Sequence, residues 1–498
     1  MNAFSRRGAC PALSAPMQTG DGLLVRLNPV DRGLSPKSLI GLGESALRHG
    51  NGIMEVTARG SLQIRGLTAE SARLLAAEVD ALGIAVRSGV PVETGPLAGI
   101  DPQEIADPRP LAGWIRAAIE EVGLAARLGP KVSVVVDGGG QLSMDALTAD
   151  MRLKAVRAGA SVLWSVSVSG DARSARPLVT VDADAARDIA VAALRMVAEK
   201  GRETHTRDLS DRQLTSLASW HSVTPPSVLP DISPARGEIS SSAVGTPPLF
   251  ETDAAFAIGE VGRDKSISPP AGEMSGRTEG GAQERQPLRS PVGTFDLGDT
   301  QALGIALPYG SISAQNLIEL AAQASNLGSP EIRLAPGRAL LFLSLSPTAC
   351  SSLQSAAATF GFVTDASDPR TRIAACPGTP ACASGRIATR AIAETIATEC
   401  ADLLDTSLTL HVSGCAKGCA HPGKAALTLV GDENGAGLVV DGTAKALPAG
   451  YRPGYDAARG VAGIAAAIRD ARHPGETAAA CLARLSAAGI AELYRRNQ

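Results

Sequence analysis

Two cysteine pairs are the residues best suited to chemistry in this chain. Cys376-Pro-Gly-Thr-Pro-Ala-Cys382 is a C-x5-C pair, and Cys415-Ala-Lys-Gly-Cys419 is a C-x3-C pair. Four thiolates are the ligand set of a cubane 4Fe–4S cluster. The second pair falls in a turn between two strand-like runs, Leu408–Val412 and Ala426–Val430. Gly414 and Gly418 precede its two cysteines, where the backbone must bend and bring N–H groups near sulfur. The first pair lies in a Pro/Gly loop ahead of a helical pattern at about 384–404, whose N-terminal end would direct N–H dipoles at an anionic cluster. Zinc is the competing reading, although structural zinc favours C-x2–4-C knuckles and C-x5-C fits those poorly; four unligated thiols are the third.

The remaining cysteines read as structural. Cys400 continues the apolar line Ile392, Ile396 at i+4 spacing, Cys350 and Cys481 lie in or beside helical patterns, and Cys10 is isolated. None of the six histidines begins an H-x-D/E pair, so a facial triad of that type is not visible. His421, two residues past Cys419, is a candidate iron ligand or proton relay, against the alternative of a hydrogen bond within its own loop. Gly41-Leu-Gly-Glu-Ser-Ala46 matches G-x-G-x-x-A but sits inside an amphipathic helical pattern and follows no strand, so it is not read as a nucleotide site.

Two stretches that look like copies precede larger α/β segments. The first runs from Gly22-Leu-Leu-Val through the helical Ser35–Leu42 to strands at 52–59 and 61–64. The second runs from Leu303-Gly-Ile-Ala through the helical Ser313–Ala321 to strands at 330–335 and 338–342. Each reads strand, helix beginning after Ser, strand, turn, strand. A separation near 280 residues means a duplicated half rather than a short-period solenoid.

Between the halves, 222–292 is rich in Pro, Ser and Gly and lacks sustained apolar periodicity, so it is expected to be disordered. When Pro225–Ile239 is back-translated and its reverse complement read one nucleotide out of frame, the permitted peptide matches 267–281 at fourteen of fifteen positions. Only Pro270 departs, by one base change. The stretch therefore reads as an inverted-repeat element inserted in frame. Deleting 225–281 should leave cofactor content and activity intact; loss of either refutes an inert insert.

Length suggests two to four domains. With 44% hydrophobic residues, 19% charged and a net charge of −3, nothing supports a nucleic-acid or anionic-membrane role. No apolar run approaches the roughly 18–20 residues that cross a bilayer. Arg6-Arg7 and Cys10 are followed by no apolar stretch, so a signal peptide is rejected and the cytoplasm is expected. Eight cysteines in so long a chain do not make a disulfide scaffold.

The four-cysteine pattern on a chain of two similar halves resembles the sulfite/nitrite reductase family. That resemblance implies an α+β fold in which each half is a small ferredoxin-like repeat plus a larger α/β domain of the sirohaem-binding type. The expected boundaries are 18–88 and 89–205 in the first half, 296–366 and 367–498 in the second. It also implies that Cys419 bridges the cluster to sirohaem or to a second iron centre. Glu55-Val-Thr-Ala-Arg-Gly-Ser-Leu-Gln-Ile-Arg65 is similar to the family's Thr-x-Arg-x-x-x-Gln element, which maps Arg59 and Gln63 onto tetrapyrrole or substrate contacts. Lys131 matches the first of two active-site lysines; Ser133 stands at the second, and no clear match to a second anion-binding arginine occurs near 90–101. Six-electron reduction of a small anion needs a dense cationic pocket, so this thinning argues against a reductase.

The run Arg7-Gly-Ala-Cys-Pro-Ala-Leu to Leu27, with Pro96–Pro102, Val136–Gly140 and Gly414–Pro422, resembles the precorrin-3B synthase branch. This implies O2-dependent hydroxylation of precorrin-3A at C20 with γ-lactone formation, using electrons from a separate reductase or ferredoxin. The carboxylates of that substrate would meet Arg59, Gln63, Arg65, Lys131, Lys417 and Lys424, with Arg59, Lys131 and His421 as catalytic candidates. The competing activity within the family is sirohaem-dependent sulfite or nitrite reduction. Outside the enzymes, the alternative is a cluster-bearing electron carrier or assembly factor.

Overall fold

The computed structural model describes residues 11–30, 33–219 and 289–496. Cys10 and all but the last four residues of the expected insert lie outside them. Residues 289–292 belong to the packed structure: Arg289 stacks 4.4 Å over the ring of Phe295 and bonds to Gln141, and Val292 is buried.

The first repeat comprises β1 (Met17–Thr19), β2 (Gly22–Leu27), β3 (Gly33–Leu34), α1 (Pro36–His49), β4 (Ile53–Val56), β5 (Leu62–Leu67) and α2 (Ala69–Ala81). Ser35 caps α1 by accepting from the Ser38 N–H at 3.0 Å, and Pro36 stands where no N–H is needed. The α/β unit that follows has β6 (Val92–Thr94), α3 (Arg109–Glu121), β7 (Val134–Asp137), β8 (Ala149–Ala158), β9 (Ser161–Gly170), β10 (Arg176–Val181), α4 (Ala183–Lys200) and α5 (Asp211–Ala218).

The second half begins with β11 (Gly293–Asp296), β12 (Gln301–Ala306), β13 (Ser311–Ser313), α6 (Ala314–Asn326), β14 (Ile332–Ala335), β15 (Ala339–Leu345) and α7 (Pro347–Thr359). Ser313 caps α6 as Ser35 caps α1. Its α/β unit has β16 (Ile373–Ala375), α8 (Thr389–Glu399), β17 (Leu410–Ser413), β18 (Ala425–Asp432), β19 (Gly435–Gly442), β20 (Gly450–Arg452), α9 (Ala457–Ala471), α10 (Ala478–Arg484) and α11 (Ala487–Arg495). The sheets of the two α/β units share one topology: two parallel pairings, β6–β7–β8 and β16–β17–β18, then two antiparallel ones. The duplication read from sequence is thus present in the fold.

The two repeats are interlocked. β13 of the second half closes the first repeat's sheet by pairing with β4, and β3 of the first half pairs with β14. Leu39 and Leu42 of α1 share one buried core with Leu317 and Leu320 of α6. The small residues of Gly41-Leu-Gly-Glu-Ser-Ala46 serve this packing. A side chain at Gly43 would press 2.5 Å from Ile318, and one at Gly41 would come 2.6 Å from Leu82. They lie inside α1 and not in a loop between a strand and a helix, which accounts for the motif without a nucleotide.

Each repeat sheet turns its other face to the α/β unit of the opposite half. On the second repeat that face is apolar apart from Arg333: Leu341 and Leu343 pack with Leu97 and Leu142. On the first it carries Glu55, Gln63 and Arg65, all buried. Polar groups hidden there need partners; they find them in one another, in Asp21 and Arg26, in Arg390 of α8 and in Ala381 of the cysteine loop. Among the described residues no helix is long and apolar enough to cross a membrane.

Candidate iron–sulfur site

Cys376 directly follows β16, and Gly414-Cys415 directly follows β17. These strands are parallel neighbours, so their C-terminal ends put both loops at one edge of the sheet. The loops meet through glycine. A side chain at Gly414 would stand 3.1 Å from the Cα of Gly378, 3.2 Å from that of Gly385 and 3.5 Å from the Sγ of Cys376. The Gly414 N–H donates to that Sγ at 3.2 Å, and the Arg386 N–H donates to the Gly414 carbonyl at 2.8 Å. The Cys382 N–H closes a turn onto the Gly378 carbonyl at 2.7 Å. α8 begins at Thr389, later than the helical pattern suggested, because 376–388 are committed to this loop packing; Thr389 Oγ1 bonds the Cys376 carbonyl.

Burial raises the Cys419 thiol above its ordinary range, and charge on Cys376, Cys415 and Cys382 raises it further, with Lys417 opposing. A set of thiolates that repel in this way suits an iron cluster, whose positive irons offset their charge. Among the described residues no three Cys, His, Asp or Glu side chains could hold a single metal ion. The donor set, the glycine cradle and the Gly414 N–H to sulfur all fit an iron cluster. Cys350, Cys400 and Cys481 are buried in helical packing instead, and burial chiefly pushes the Cys400 thiol up to about 12.

The first half carries the corresponding loop pair, Gly95–Asp101 after β6 and Gly138–Gln141 after β7, and it holds carboxylates and no cysteine. Asp101 accepts from the Gln141 side chain at 3.0 Å, and Asp137 accepts from Gly139 and Met144 N–H groups at 2.9 and 2.8 Å. Glu104 accepts from the Gly99 N–H at 2.8 Å. Burial, helped by Asp107, Asp101 and Asp137, pushes its carboxyl up to about 7. These acids tie their own loops together, which explains the two branch-like words at 96–102 and 136–140 structurally.

The basic residues expected to grip a ligand divide into groups. Arg59, on the turn between β4 and β5, donates to the Thr148 carbonyl at 2.7 Å and to Ser133 Oγ at 3.3 Å. Ser133 takes the guanidinium where the family has a lysine. Lys131 is exposed two residues away. Lys417 reaches across the cysteine loops to Ser384 Oγ at 2.8 Å, and Lys424 is exposed. His421 Nε2 bonds the Lys424 carbonyl at 3.0 Å, the loop-internal alternative.

Gln63 and Arg65 stand elsewhere. With its amide oriented to suit its neighbours, Gln63 donates to Glu55 at 3.1 Å and accepts from Arg26 at 2.7 and 3.0 Å. Arg65 is bonded on all three guanidinium nitrogens: to Asp21 at 2.8 and 3.0 Å, to Glu55 at 3.4 Å and to the Ala381 carbonyl at 2.6 Å. Arg390 of α8 pairs with the other oxygen of Glu55. Arg65, expected to meet a ligand carboxylate, here holds the residue next to Cys382. Gly20, in the β1–β2 turn, packs against the same segment, where a side chain would come 2.7 Å from the Pro380 carbonyl oxygen. Arg333 does the equivalent in the other half, donating to the Pro96 and Ala98 carbonyls at 3.2 and 3.3 Å.

Sequence reasoning missed Arg338 and His411. Arg338 occupies the turn between β14 and β15, the counterpart of Arg59, so the internal repeat was the signal that could have found it. His411 lies on β17 under the second cysteine loop, fully buried, with neither ring nitrogen hydrogen-bonded. Burial, with the nearby charges of His421 and Arg338, pushes its pKa down to about 4.

Comparison with known proteins adds three likenesses. Residues 15–82 match the nitrite/sulfite reductase ferredoxin-like half domain. A precorrin-3B synthase from a Sinorhizobium species is 37% identical over 495 residues, spanning 99% of this chain and 96% of that protein. The structure of the NirA protein of Mycobacterium tuberculosis aligns with a TM-score of 0.67 at 16% identity, over 94% of this chain and 84% of that one. At such low identity this last likeness speaks for the fold.

Proposed function

We propose, because the chain belongs to the precorrin-3B synthase family, that it hydroxylates precorrin-3A at C20 with O2 and closes a γ-lactone from an acetate side chain. One atom of O2 enters the macrocycle; the other leaves as water with two protons and two electrons from a donor protein, a reductase or ferredoxin. A 4Fe–4S cluster on Cys376, Cys382, Cys415 and Cys419 would pass those electrons inward. Cys419, the exposed member of the four, is the one that the family resemblance makes the bridge to sirohaem or another iron centre. Arg59 and Lys131 supply cations for substrate carboxylates at the start of β7, and the tethered His421 is retained as a proton-relay candidate.

The observation that carries this reading over a reductase is the state of Arg59. Its guanidinium is turned onto Ser133 and Thr148, and the second lysine of an anion pocket is missing. A large polycarboxylate can use cations spread around its rim; a small anion needs them focused on one point. The test is turnover of precorrin-3A by cluster-loaded protein with reductant and O2, followed by mass spectrometry. A gain of one oxygen atom is expected. No gain with the cluster intact, or efficient turnover of sulfite or nitrite instead, overturns the assignment.

A further inference from the structure

The tips of the β4–β5 and β14–β15 hairpins touch: the Gly337 N–H donates to the Ala58 carbonyl at 2.9 Å. From these tips two arginines diverge. Arg59 runs to the α/β unit of the first half, and Arg338 runs to the second cysteine loop, donating from Nη2 to the Ala420 carbonyl at 2.9 Å. Ala420 adjoins Cys419. The backbone turns sharply to place Arg338, with φ of +82° at Gly337 and +66° at Arg338 itself, a conformation a bulky side chain adopts only under tertiary constraint.

What distinguishes Arg338 is its lack of a counter-charge. Arg65, Arg333, Arg390 and Arg452 each pair with a carboxylate. Arg338 makes no salt bridge among the described residues, and the hydrogen bond of its guanidinium goes to a neutral carbonyl. Burial first, and the charge of Arg390 second, lower its pKa. Beside it lies His411 with both ring nitrogens buried and unbonded. A guanidinium has five N–H donors in a planar fork that matches a carboxylate. Arg338 is partly buried, and a cation held there without an anion beside it gains free energy from a ligand that supplies one.

We infer that Arg338 is a carboxylate-anchoring site for the tetrapyrrole, on the Cys419 side, and the partner of Arg59 across the internal repeat. The inference rests on the proposed tetrapyrrole function and assigns a residue to it. Arg338 holds one acidic side chain of the macrocycle by a forked pair of hydrogen bonds, and so orients the ring relative to the cluster.

The test uses full-length, cluster-loaded protein and an octacarboxylate porphyrin of the uroporphyrin type as probe, titrated by fluorescence quenching. Arg338→Gln should bind about 10- to 100-fold more weakly than wild type. Arg338→Lys should recover part of the loss, and the Tm of ligand-free Arg338→Gln should equal or exceed that of wild type. Equal affinity for wild type and Arg338→Gln overturns the inference. A lowered Tm with no rescue by lysine also overturns it, assigning a structural role. Failure of the wild type itself to bind the probe removes the tetrapyrrole reading, and this site with it.

Discussion

Cys376→Ser is expected to abolish cluster assembly. After anaerobic reconstitution, wild type should carry about four iron and four sulfide per chain, and the variant close to none. Cys376 is buried, and its sulfur receives the Gly414 N–H that joins the two loops. A serine hydroxyl would meet the same donor but is a poor iron ligand, so three thiolates remain around an incomplete site. Oxygen incorporation should fall to background. Cys481→Ser is the control: that thiol is buried near the Ile468 carbonyl, far in kind from the loops. It should keep full iron and lose about 1–3 kcal/mol of stability from the buried hydroxyl. Iron retained in Cys376→Ser and lost in Cys481→Ser would place the cluster elsewhere.

Arg65→Met should damage the molecule differently. Asp21 and Glu55 would lose their shared cation inside a polar interface, which costs about 3–5 kcal/mol when one partner of a buried pair is removed. Arg390 would retain Glu55, and Asp21 would lose the cation it pairs with. The Ala381 carbonyl would lose its donor, and the cysteine loop its anchor to the first repeat. Two measurements check this: the urea midpoint of cluster-free protein, and the rate of iron loss to a chelator from loaded protein. The midpoint should fall and the iron should leave faster, with Arg65→Lys between the two. Unchanged stability and iron retention, together with weakened porphyrin binding, would return Arg65 to the ligand-contact role suggested by its motif.

That reversal shows where one-dimensional reading ends. Thr-x-Arg-x-x-x-Gln marks a strand–turn–strand whose polar side chains face inward, and Arg59, Gln63 and Arg65 all do. Which partner a side chain meets depends on distant segments: Arg59 and Ser133 are 74 positions apart, and Arg65 and Ala381 are 316 apart. No local pattern encodes that pairing. The exchanged strands were equally hidden: β3 is two residues long and β13 three, too short for a periodicity to register.

The amino-acid sequence by itself determined the features set by local spacing. The four cysteines and their glycines, the serine caps of α1 and α6, the duplicated strand–helix–strand order and the misleading glycine motif all follow from residue type at short range. Only the tertiary structure decided which cations are neutralised and which stand bare. Charge pairing is a property of neighbours in space, and the interlocked halves chose those neighbours. They buried Arg65 between two acids on the cysteine loop, turned Arg59 onto Ser133, and left Arg338 beside Cys419 without an acid.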